Sequence, residues 1–288
     1  MLLGVHVSAA GALYKAADRA NSLGCNTMQI FSRNPQRWRE HALDLQEAAE
    51  FRRRCRQQGI ELLFIHIPYL INLASPSPRL YEASIRAYIE DVKDAALLGA
   101  DYIVTHMGSH KKTSEEAGLE RYTAALARIL RETRGARVGI LLENTAGSGS
   151  WLGYTFAHHR RIIQGVKYSR RVGVCLDTAH AYLAGYALDT KAGLGRLVSD
   201  IEKHVGIDRL RLIHLNDASG TCGSRHDRHE HIGSGGIGRE GIRRIINHPG
   251  LRDLPFILET PRENERAHQL DLGRVRALRA GLRPFKRR

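Results

Sequence analysis

The chain has 288 residues, of which 42% are hydrophobic and 26% charged, a composition typical of a globular protein with a large core. It has no membrane-length apolar run, no signal-peptide start and no CxxC pair, so we expect a cytoplasmic protein without a membrane partner or a thiolate metal site. The formal net charge of +14 favours a polyanionic partner such as nucleic acid, although it also suits simple solubility.

Eight short runs rich in valine, isoleucine and leucine alternate with longer helical patterns, and each run has the length of a β-strand. Two of the helical stretches are 43–59 and 79–99, and the second ends at Gly99, as helices often do. The predicted strands span 2–8, 27–32, 62–69, 102–108, 138–145, 172–180, 211–217 and 255–261.

The alternation of strands and helices indicates the fold class. Continuously apolar strands are typical of a parallel sheet that is covered by helices. Eight such units in a chain of this length predict an α/β fold, a single (β/α)8 TIM barrel, with one domain over 1–288. An open doubly wound sheet is disfavoured, because it would usually have fewer strands and a glycine fingerprint after the first one.

A potential metal ligand closes the apolar run in seven of the eight predicted strands. The strand ends of a barrel converge on one mouth, where its active site is built. Each residue alone would more often be a hydrogen-bonded core group or a helix cap, but so many imidazoles and carboxylates together would repel one another without cations. We therefore predict a metal centre from His6, His66, His106, Glu143, Asp177 with His180, His214 and Glu259.

The loop after the seventh strand adds further candidates in the stretch HDRHEH, residues 226–231. On its own this stretch would more often be a solvated turn. Asp227 and His229 are two apart on an extended loop and therefore point the same way. His231 has the same parity, so the spacing leaves open which of the two histidines accompanies Asp227.

The types of ligand indicate which metals and what chemistry to expect. Imidazoles and carboxylates without thiolates suit zinc, manganese, iron or cobalt better than magnesium or calcium. A catalytic zinc uses about three protein ligands, so a set of nine or ten candidates predicts about three ions. With four carboxylates, about three divalent ions leave a positive site that suits a phosphodiester. Together with the basic charge, the residues predict a metal-dependent phosphodiesterase that acts on nucleic acid.

These residues lie in motifs that resemble the endonuclease IV type of apurinic/apyrimidinic (AP) endonucleases, and the resemblance runs over essentially the whole chain. It is carried by GVHVSAAGAL, MQIFSRNPQRW, HIPYLINLASP, HMGSH, LLENTAGSG, CLDTAHAYLAGY, HLNDASGTCGSRHDRHEHIGSGGIG and ILETP. The resemblance implies a monomeric (β/α)8 barrel with about three zinc ions, manganese being an alternative at one position. It implies hydrolysis of the phosphodiester 5′ to an abasic site in double-stranded DNA by a metal-bound hydroxide, with 3′-hydroxyl and 5′-deoxyribose phosphate products, and removal of 3′-blocking groups.

The resemblance also implies roles for individual residues, and it favours His229 over His231. Glu143 would bridge two ions, and Glu259 would orient the attacking hydroxide, with Glu143 and Asp177 as further catalytic carboxylates. The implied ligands are His66, His106 and Glu143 for the first ion, Glu143, Asp177, His214 and Glu259 for the second, and His180, Asp227 and His229 for the third. The implied DNA contacts are Arg37, Tyr69 and Leu70, which would fill the gap left by a flipped-out sugar.

Two alternatives remain at this point. A sugar isomerase or epimerase on the same barrel would use one or two divalent ions, bound mostly by carboxylates, and would need fewer histidines. A non-catalytic DNA-binding or scaffold protein with a relic site would have lost some ligands, and the sequence shows no such loss. The number of bound metal ions distinguishes these alternatives from the nuclease.

Overall fold

The computed structural model describes residues 1–38, 42–167, 169–261 and 265–279. Within these ranges the strands are β1 (Leu3–Val5), β2 (Thr27–Phe31), β3 (Leu62–His66), β4 (Tyr102–His106), β5 (Gly139–Glu143), β6 (Val172–Asp177), β7 (Leu210–His214), β8 (Asp217–Ala218), β9 (His229–Glu230) and β10 (Phe256–Leu258). The short strands β8 and β9 pair with each other as an antiparallel hairpin. The other eight form one sheet, and every strand pair in it is parallel.

The eight-stranded sheet is rolled into a barrel. Its hydrogen-bonded order is β1-β10-β7-β6-β5-β4-β3-β2. A parallel bridge between His6 and Gln29 joins the two outer strands, and the Val7 amide donates to the Gln29 carbonyl at 2.7 Å. The predicted (β/α)8 barrel is therefore confirmed, with its seam between β1 and β2.

Helices surround the barrel, and most begin at a side chain that caps the first turn. Ser77 accepts a hydrogen bond from the Leu80 amide, Pro78 follows it, and Gly99 ends the same helix in the left-handed conformation with φ of 74°. No helix in the described ranges is long and apolar enough to cross a membrane. The helices are α1 (Tyr14–Ser22), α2 (Leu45–Gln57), α3 (Pro78–Leu98), α4 (Glu115–Glu132), α5 (Phe156–Gly165), α6 (Thr178–Ala184), α7 (Lys191–His204), α8 (Gly238–Asn247) and α9 (Glu265–Arg279).

The two predicted helices are confirmed as α2 and α3, but several predicted strands end too late. The run 172–180 is a strand only as far as Asp177, because the Asp177 side chain accepts a hydrogen bond from the His180 amide and starts α6. The run 62–69 ends as a strand at His66, two residues before Pro68, which has no amide hydrogen for a strand ladder. In both cases the apolar pattern continues into residues whose main chain turns away from the sheet.

The inside of the barrel has an apolar floor below a polar mouth. The floor is a buried cluster of one residue from each of six strands, namely Phe64, Val104, Leu141, Cys175, Leu212 and Ile257. Because side chains alternate along a strand, the residue two positions further on lies on the same face. Those six residues are His66, His106, Glu143, Asp177, His214 and Glu259. On each of these six strands, the barrel therefore places one ionisable side chain directly above the floor.

Candidate metal centre

The mouth of the barrel brings eight of the nine ligands that the resemblance implies into three groups, and His6 belongs to none of these groups. The candidate ligand atoms within each group lie within 4.8 Å of one another. Glu143 belongs to two groups, and so does Asp177, so the three groups are joined by shared carboxylates. The groups are His66, His106 and Glu143; Glu143, Asp177, His214 and Glu259; and Asp177, His180 and His229.

The first group places two imidazoles around one buried carboxylate. Glu143 Oε2 lies 3.2 Å from His66 Nε2 and 3.7 Å from His106 Nε2. Burial alone would raise the pKa of Glu143, but the charges of His106 and His214 hold that pKa well below its ordinary value. Burial lowers the pKa of His106. The group therefore combines an ionised carboxylate with two imidazoles, a donor set that suits a divalent metal ion.

The second group is centred on His214. Its Nδ1 lies 3.1 Å from Glu143 Oε1 and also 3.1 Å from Glu259 Oε2. Burial would raise the pKa of Glu259, but the charge and hydrogen bond of His214 keep it well below its ordinary value. Asp177 is oriented from outside the group, because Asn216 Nδ2 donates to Asp177 Oδ2 at 2.7 Å.

The third group places two imidazole nitrogens against each other. His180 Nε2 and His229 Nε2 are 3.4 Å apart, and His229 Nε2 is 3.6 Å from Asp177 Oδ2. Asp227, the ninth predicted ligand, lies beside this group with its Oδ1 at 3.0 Å from His180 Nε2. Burial would raise the pKa of Asp227, but the hydrogen bond and charge of His180 lower it to about 2. Asp227 is therefore an ionised carboxylate at the edge of the mouth.

The hydrogen bonds around these imidazoles fit a set of metal ligands. The Nδ1 atoms of His66, His180 and His229 lie 2.8, 2.9 and 3.0 Å from the main-chain oxygens of Ile67, Asn144 and Glu259, respectively. A carbonyl only accepts, so each Nδ1 carries the hydrogen and each neutral ring turns the lone pair of Nε2 toward the mouth.

Without a cation, that arrangement would be unfavourable. The facing Nε2 atoms of His180 and His229 would then oppose two lone pairs. Burial lowers the pKa of His180, but the charge of Asp177 and the hydrogen bond with Asp227 raise it well above its ordinary value. The mouth therefore has an excess of negative charge that protons or divalent cations would balance. The donor set of imidazoles and carboxylates suits zinc or manganese.

The structure also shows which of His229 and His231 faces the candidate metal groups, a question that their spacing in the sequence left open. His229 faces the third group, whereas His231 Nδ1 lies 2.7 Å from Oδ2 of the buried Asp271 on α9. His226 is exposed.

The hairpin that carries His229 is held by Asp217, whose carboxylate accepts hydrogen bonds from the amides of Ala218, Gly233, Gly235, Ile237 and Gly238. The glycine-rich turn therefore wraps an internal carboxylate.

An open cavity of about 1480 Å³ leads from solvent to the three groups. Its lining includes Tyr69 and Gln36, together with ligands such as His66 and Glu259, but neither Arg37 nor Leu70. Tyr69 is 65% exposed and packs edge-on against Phe31 with ring centroids 5.4 Å apart. Leu70 is partly buried and Arg37 is exposed. Of the three predicted DNA contacts, the structure thus places Tyr69 on the cavity and the other two beside it.

Two residues at the mouth were not among the candidates. Gln29 is an inward-facing residue of β2, the one barrel strand without an ionisable residue at its end, and it contacts His6, His214 and Glu259. Trp151 is 38% exposed beside His106, with ring centroids 5.9 Å apart. Gln29 had a detectable signal, because it is the only polar residue between Met28 and Phe31 in an apolar run. Trp151 lies in a loop, where no periodicity marks it.

Comparisons with known proteins give similarity over nearly the whole chain. Residues 17–286 match the model of a family described as xylose isomerase-like TIM barrel. A protein of Methanoculleus marisnigri named "Probable endonuclease 4" is 44% identical over 96% of this chain and 99% of its own length. The crystal structure of endonuclease IV from Thermus thermophilus superposes with a TM-score of 0.87 at 35% identity, covering 98% of this chain and 100% of that one.

A sugar epimerase has the same fold. The 3-keto-D-glucoside 4-epimerase from E. coli superposes with a TM-score of 0.70, covering 96% of this chain and 99% of that one. Its sequence identity is 13%, so this likeness concerns the fold alone.

Proposed function

The chain belongs to the endonuclease IV family of xylose isomerase-like TIM barrels, and from this premise we propose that it is a metal-dependent AP endonuclease of DNA repair. Its proposed reaction is hydrolysis of the phosphodiester 5′ to an abasic site in double-stranded DNA, which leaves a 3′-hydroxyl and a 5′-deoxyribose phosphate. Removal of 3′-blocking groups would use the same mouth. The observation that carries the proposal is the cluster of five imidazoles and four carboxylates in and beside three linked groups.

The three groups would hold about three divalent ions, with zinc as the expected metal and manganese as an alternative at one position. His66, His106 and Glu143 would hold the first, and Glu143, Asp177, His214 and Glu259 the second. His180 and His229, with Asp227 beside them, would hold the third. When bound, the ions would supply Lewis acidity, which lowers the pKa of water and neutralises charge on the phosphodiester.

The side chains around the mouth have separate tasks in this proposal. Glu259 would orient the attacking water, because one of its oxygens faces His214 while the other is held by Gln29. Glu143 and Asp177 are shared between groups and would fix the spacing of the groups they join. All three are proposed catalytic carboxylates, and the cavity, which Glu259 lines, would give a phosphodiester access to the mouth.

DNA would be held by charge and by side chains at the rim of the cavity. The formal net charge of +14 attracts the phosphate backbone. Tyr69, with Leu70 and Arg37 beside it, would occupy the gap that forms when an abasic sugar leaves the helix. The tyrosine ring is the best placed of the three, because it is exposed and lines the cavity.

Cleavage of a duplex oligonucleotide with one tetrahydrofuran abasic analogue tests the proposal. The expected product carries a 3′-hydroxyl that a DNA polymerase extends directly. A 3′-unsaturated aldehyde, formed instead from a natural abasic site, would indicate a lyase and refute hydrolysis. One tightly bound metal ion per chain, combined with no cleavage, would favour the sugar epimerase.

The substitution Glu259→Gln tests the catalytic assignment. It keeps the size of the side chain but removes its charge, so we expect cleavage to fall by about two to four orders of magnitude. Folding and binding of abasic DNA should persist in the variant. Glu240→Gln is the matched control, because Glu240 is an exposed carboxylate that pairs with Arg243 on α8. Cleavage by Glu259→Gln within about tenfold of the unmodified protein would refute the assignment.

A further inference from the structure

Gln29 occupies the position on β2 that corresponds to the ionisable residues on the other strands. It is fully buried, and its carboxamide contacts three side chains of the mouth. Its Nε2 lies 2.6 Å from Glu259 Oε1 and 2.9 Å from His6 Nδ1, and its Oε1 lies 2.9 Å from His214 Nε2. The neutral side chain of Gln29 thus contacts two candidate metal ligands, Glu259 and His214, and also His6.

The chemistry of these contacts determines how the carboxamide is oriented. An ionised carboxylate only accepts hydrogen bonds, so the amide nitrogen of Gln29 must face Glu259. The amide oxygen then faces His214 Nε2 and can only accept, so His214 must carry a hydrogen on Nε2. In the neutral ring, the lone pair is then on Nδ1, which lies 3.1 Å from Glu143 Oε1 and from Glu259 Oε2.

His214 is therefore arranged differently from His66, His180 and His229. His66, His180 and His229 are oriented by main-chain carbonyls that accept from Nδ1, so each ring turns Nε2 toward the mouth. His214 turns Nδ1 toward the mouth instead, and the acceptor for its Nε2 is the side chain of Gln29. A side-chain acceptor can be changed by substitution, whereas the main-chain acceptors cannot.

We propose that Gln29 is a positioning residue of the metal centre, which fixes the tautomer of His214 and the orientation of Glu259. Through these two ligands it sets the affinity of the group Glu143, Asp177, His214 and Glu259 for its divalent ion. The proposal rests on the metal-binding part of the proposed function and is independent of the substrate. Partners that orient metal ligands typically contribute about 10–100-fold to metal affinity.

Two substitutions of Gln29 distinguish its proposed role as a positioning residue from a role in closing the barrel. The seam uses the main chain of Gln29, whose carbonyl accepts from the Val7 amide, so a changed side chain leaves that bond in place. Gln29→Met keeps the length of the side chain but removes its hydrogen bonds. Gln29→Glu keeps its shape but places an acceptor against Glu259. Met28→Leu is the control, since Met28 is a buried neighbour on the opposite face of β2.

The test uses the full chain loaded with Co²⁺, which is removed by a chelator while the visible absorption of the bound ion is followed. In the unmodified protein and in Met28→Leu, we expect about three ions to leave over the same range of chelator concentration. In Gln29→Met and Gln29→Glu, one ion should leave at a chelator concentration about 10–100-fold lower, and the other two should be unaffected.

Retention of every ion at the affinity of the unmodified protein, in a variant with an unchanged melting temperature, would overturn the proposal. Equal weakening of all the ions, or failure of both variants to fold, would make Gln29 a purely structural residue and would overturn it too. If only Gln29→Met fails to fold, the metal affinity of Gln29→Glu decides whether the proposal holds. The measurement contains no DNA, so a protein that binds metal as expected but leaves abasic DNA intact would refute only the proposed substrate.

Discussion

His229 and His231 are two residues apart, yet their side chains have opposite surroundings. His229 Nε2 lies 3.4 Å from His180 Nε2 at the mouth, whereas His231 Nδ1 lies 2.7 Å from the Asp271 carboxylate. We expect His229→Ala to lose about one of three metal equivalents and to cleave abasic DNA about 10–100-fold more slowly. Elemental analysis of the dialysed protein and the oligonucleotide assay measure the two effects.

His231→Ala is the matched comparison for that variant. It should keep its metal ions and its cleavage rate, because His231 faces α9 rather than the mouth. It should lower the free energy of unfolding by about 1–3 kcal/mol, since buried Asp271 loses a hydrogen-bonding partner. Equal loss of metal in the two alanine variants would contradict this distinction.

His159 makes the stability of the fold depend on pH without involving the mouth. Burial lowers its pKa to about 3, and its Nδ1 donates to the Thr155 carbonyl at 3.2 Å. In the unfolded chain the pKa is near 6.5, so protons bind the unfolded state more readily. The contribution of His159 to stability is therefore complete above pH 6.5 and decreases as the pH falls toward 3.

Chemical denaturation at pH 7.5 and pH 5 measures this effect. Protonation of His159 in the unfolded chain should lower the free energy of unfolding at pH 5 by about 2 kcal/mol. This corresponds to about 1.4 kcal/mol for each pH unit below the pKa of the unfolded chain. His159→Phe fills a similar volume and cannot titrate, so its stability should fall by that much less over the same interval. Other histidines titrate equally in both proteins and cancel in the comparison. Identical pH dependence of the two would show that His159 is not responsible.

At the scale of elements, the loop after β2 is anchored by the side chain of Arg33 and exposes the side chain of Arg37 to solvent. Arg33 forms a buried ion pair with Asp91 on α3 at 2.7 Å, and its Nη1 donates to the Arg37 carbonyl at 2.7 Å. The anchor fixes the main chain of this loop, places Gln36 on the cavity lining and leaves the Arg37 side chain exposed. The loop after β3 presents Tyr69 to the same cavity.

This arrangement predicts that Tyr69 contributes more to lesion recognition than Arg37. We expect Tyr69→Ala to weaken binding to an abasic duplex by about 1–3 kcal/mol, the usual contribution of an aromatic ring that stacks on a base. Arg37→Ala should have a smaller effect, and both variants should bind intact duplex almost normally and keep their metal ions. Fluorescence anisotropy with both duplexes measures the difference.

Arg53→Ala is the control for charge alone, since Arg53 is an exposed cation near the end of α2 and pairs with Glu50. It should weaken binding to both duplexes equally. If Tyr69→Ala behaves in the same way, the tyrosine is only a general contact and its proposed place in the lesion gap is wrong.

At the scale of the whole molecule, metal binding and stability of the barrel are expected to be linked. The candidate ligands come from β3, β4, β5, β6, β7 and β9 and from the segments after β6, β8 and β10, so bound ions would join most of the ring. Ions that bind only the folded state add to its stability by mass action. Exhaustive removal by a chelator should therefore lower the melting temperature, and zinc should restore it.

Magnesium should fail to restore the melting temperature, because it prefers sites made only of oxygen ligands. Dialysed protein should hold about three metal equivalents per chain. A melting temperature that is indifferent to the chelator, in a protein shown to have lost its metal, would mean that the mouth is preformed without cations. One equivalent per chain would contradict the trinuclear arrangement.

The sequence by itself determined the barrel and the residues at the end of almost every strand. Both follow from local patterns, since apolar runs predict parallel strands and the residue that closes a run lies at the mouth. His66, His106, Glu143, His214 and Glu259 are found where those patterns put them, each two residues beyond a residue of the apolar floor. The barrel geometry turns this local regularity into spatial proximity.

Only the tertiary structure decided where the pattern was locally ambiguous. Asp177 ends β6 because its carboxylate caps α6, although the apolar run continues. The spacing of residues in the loop allowed either His229 or His231 to accompany Asp227. The contact of His231 with Asp271 on α9 decides between them. Gln29 meets Glu259 across 230 residues of sequence, and no local periodicity encodes such a contact. Its part in the mouth follows from closure of the barrel, which brings the second strand beside the first and last.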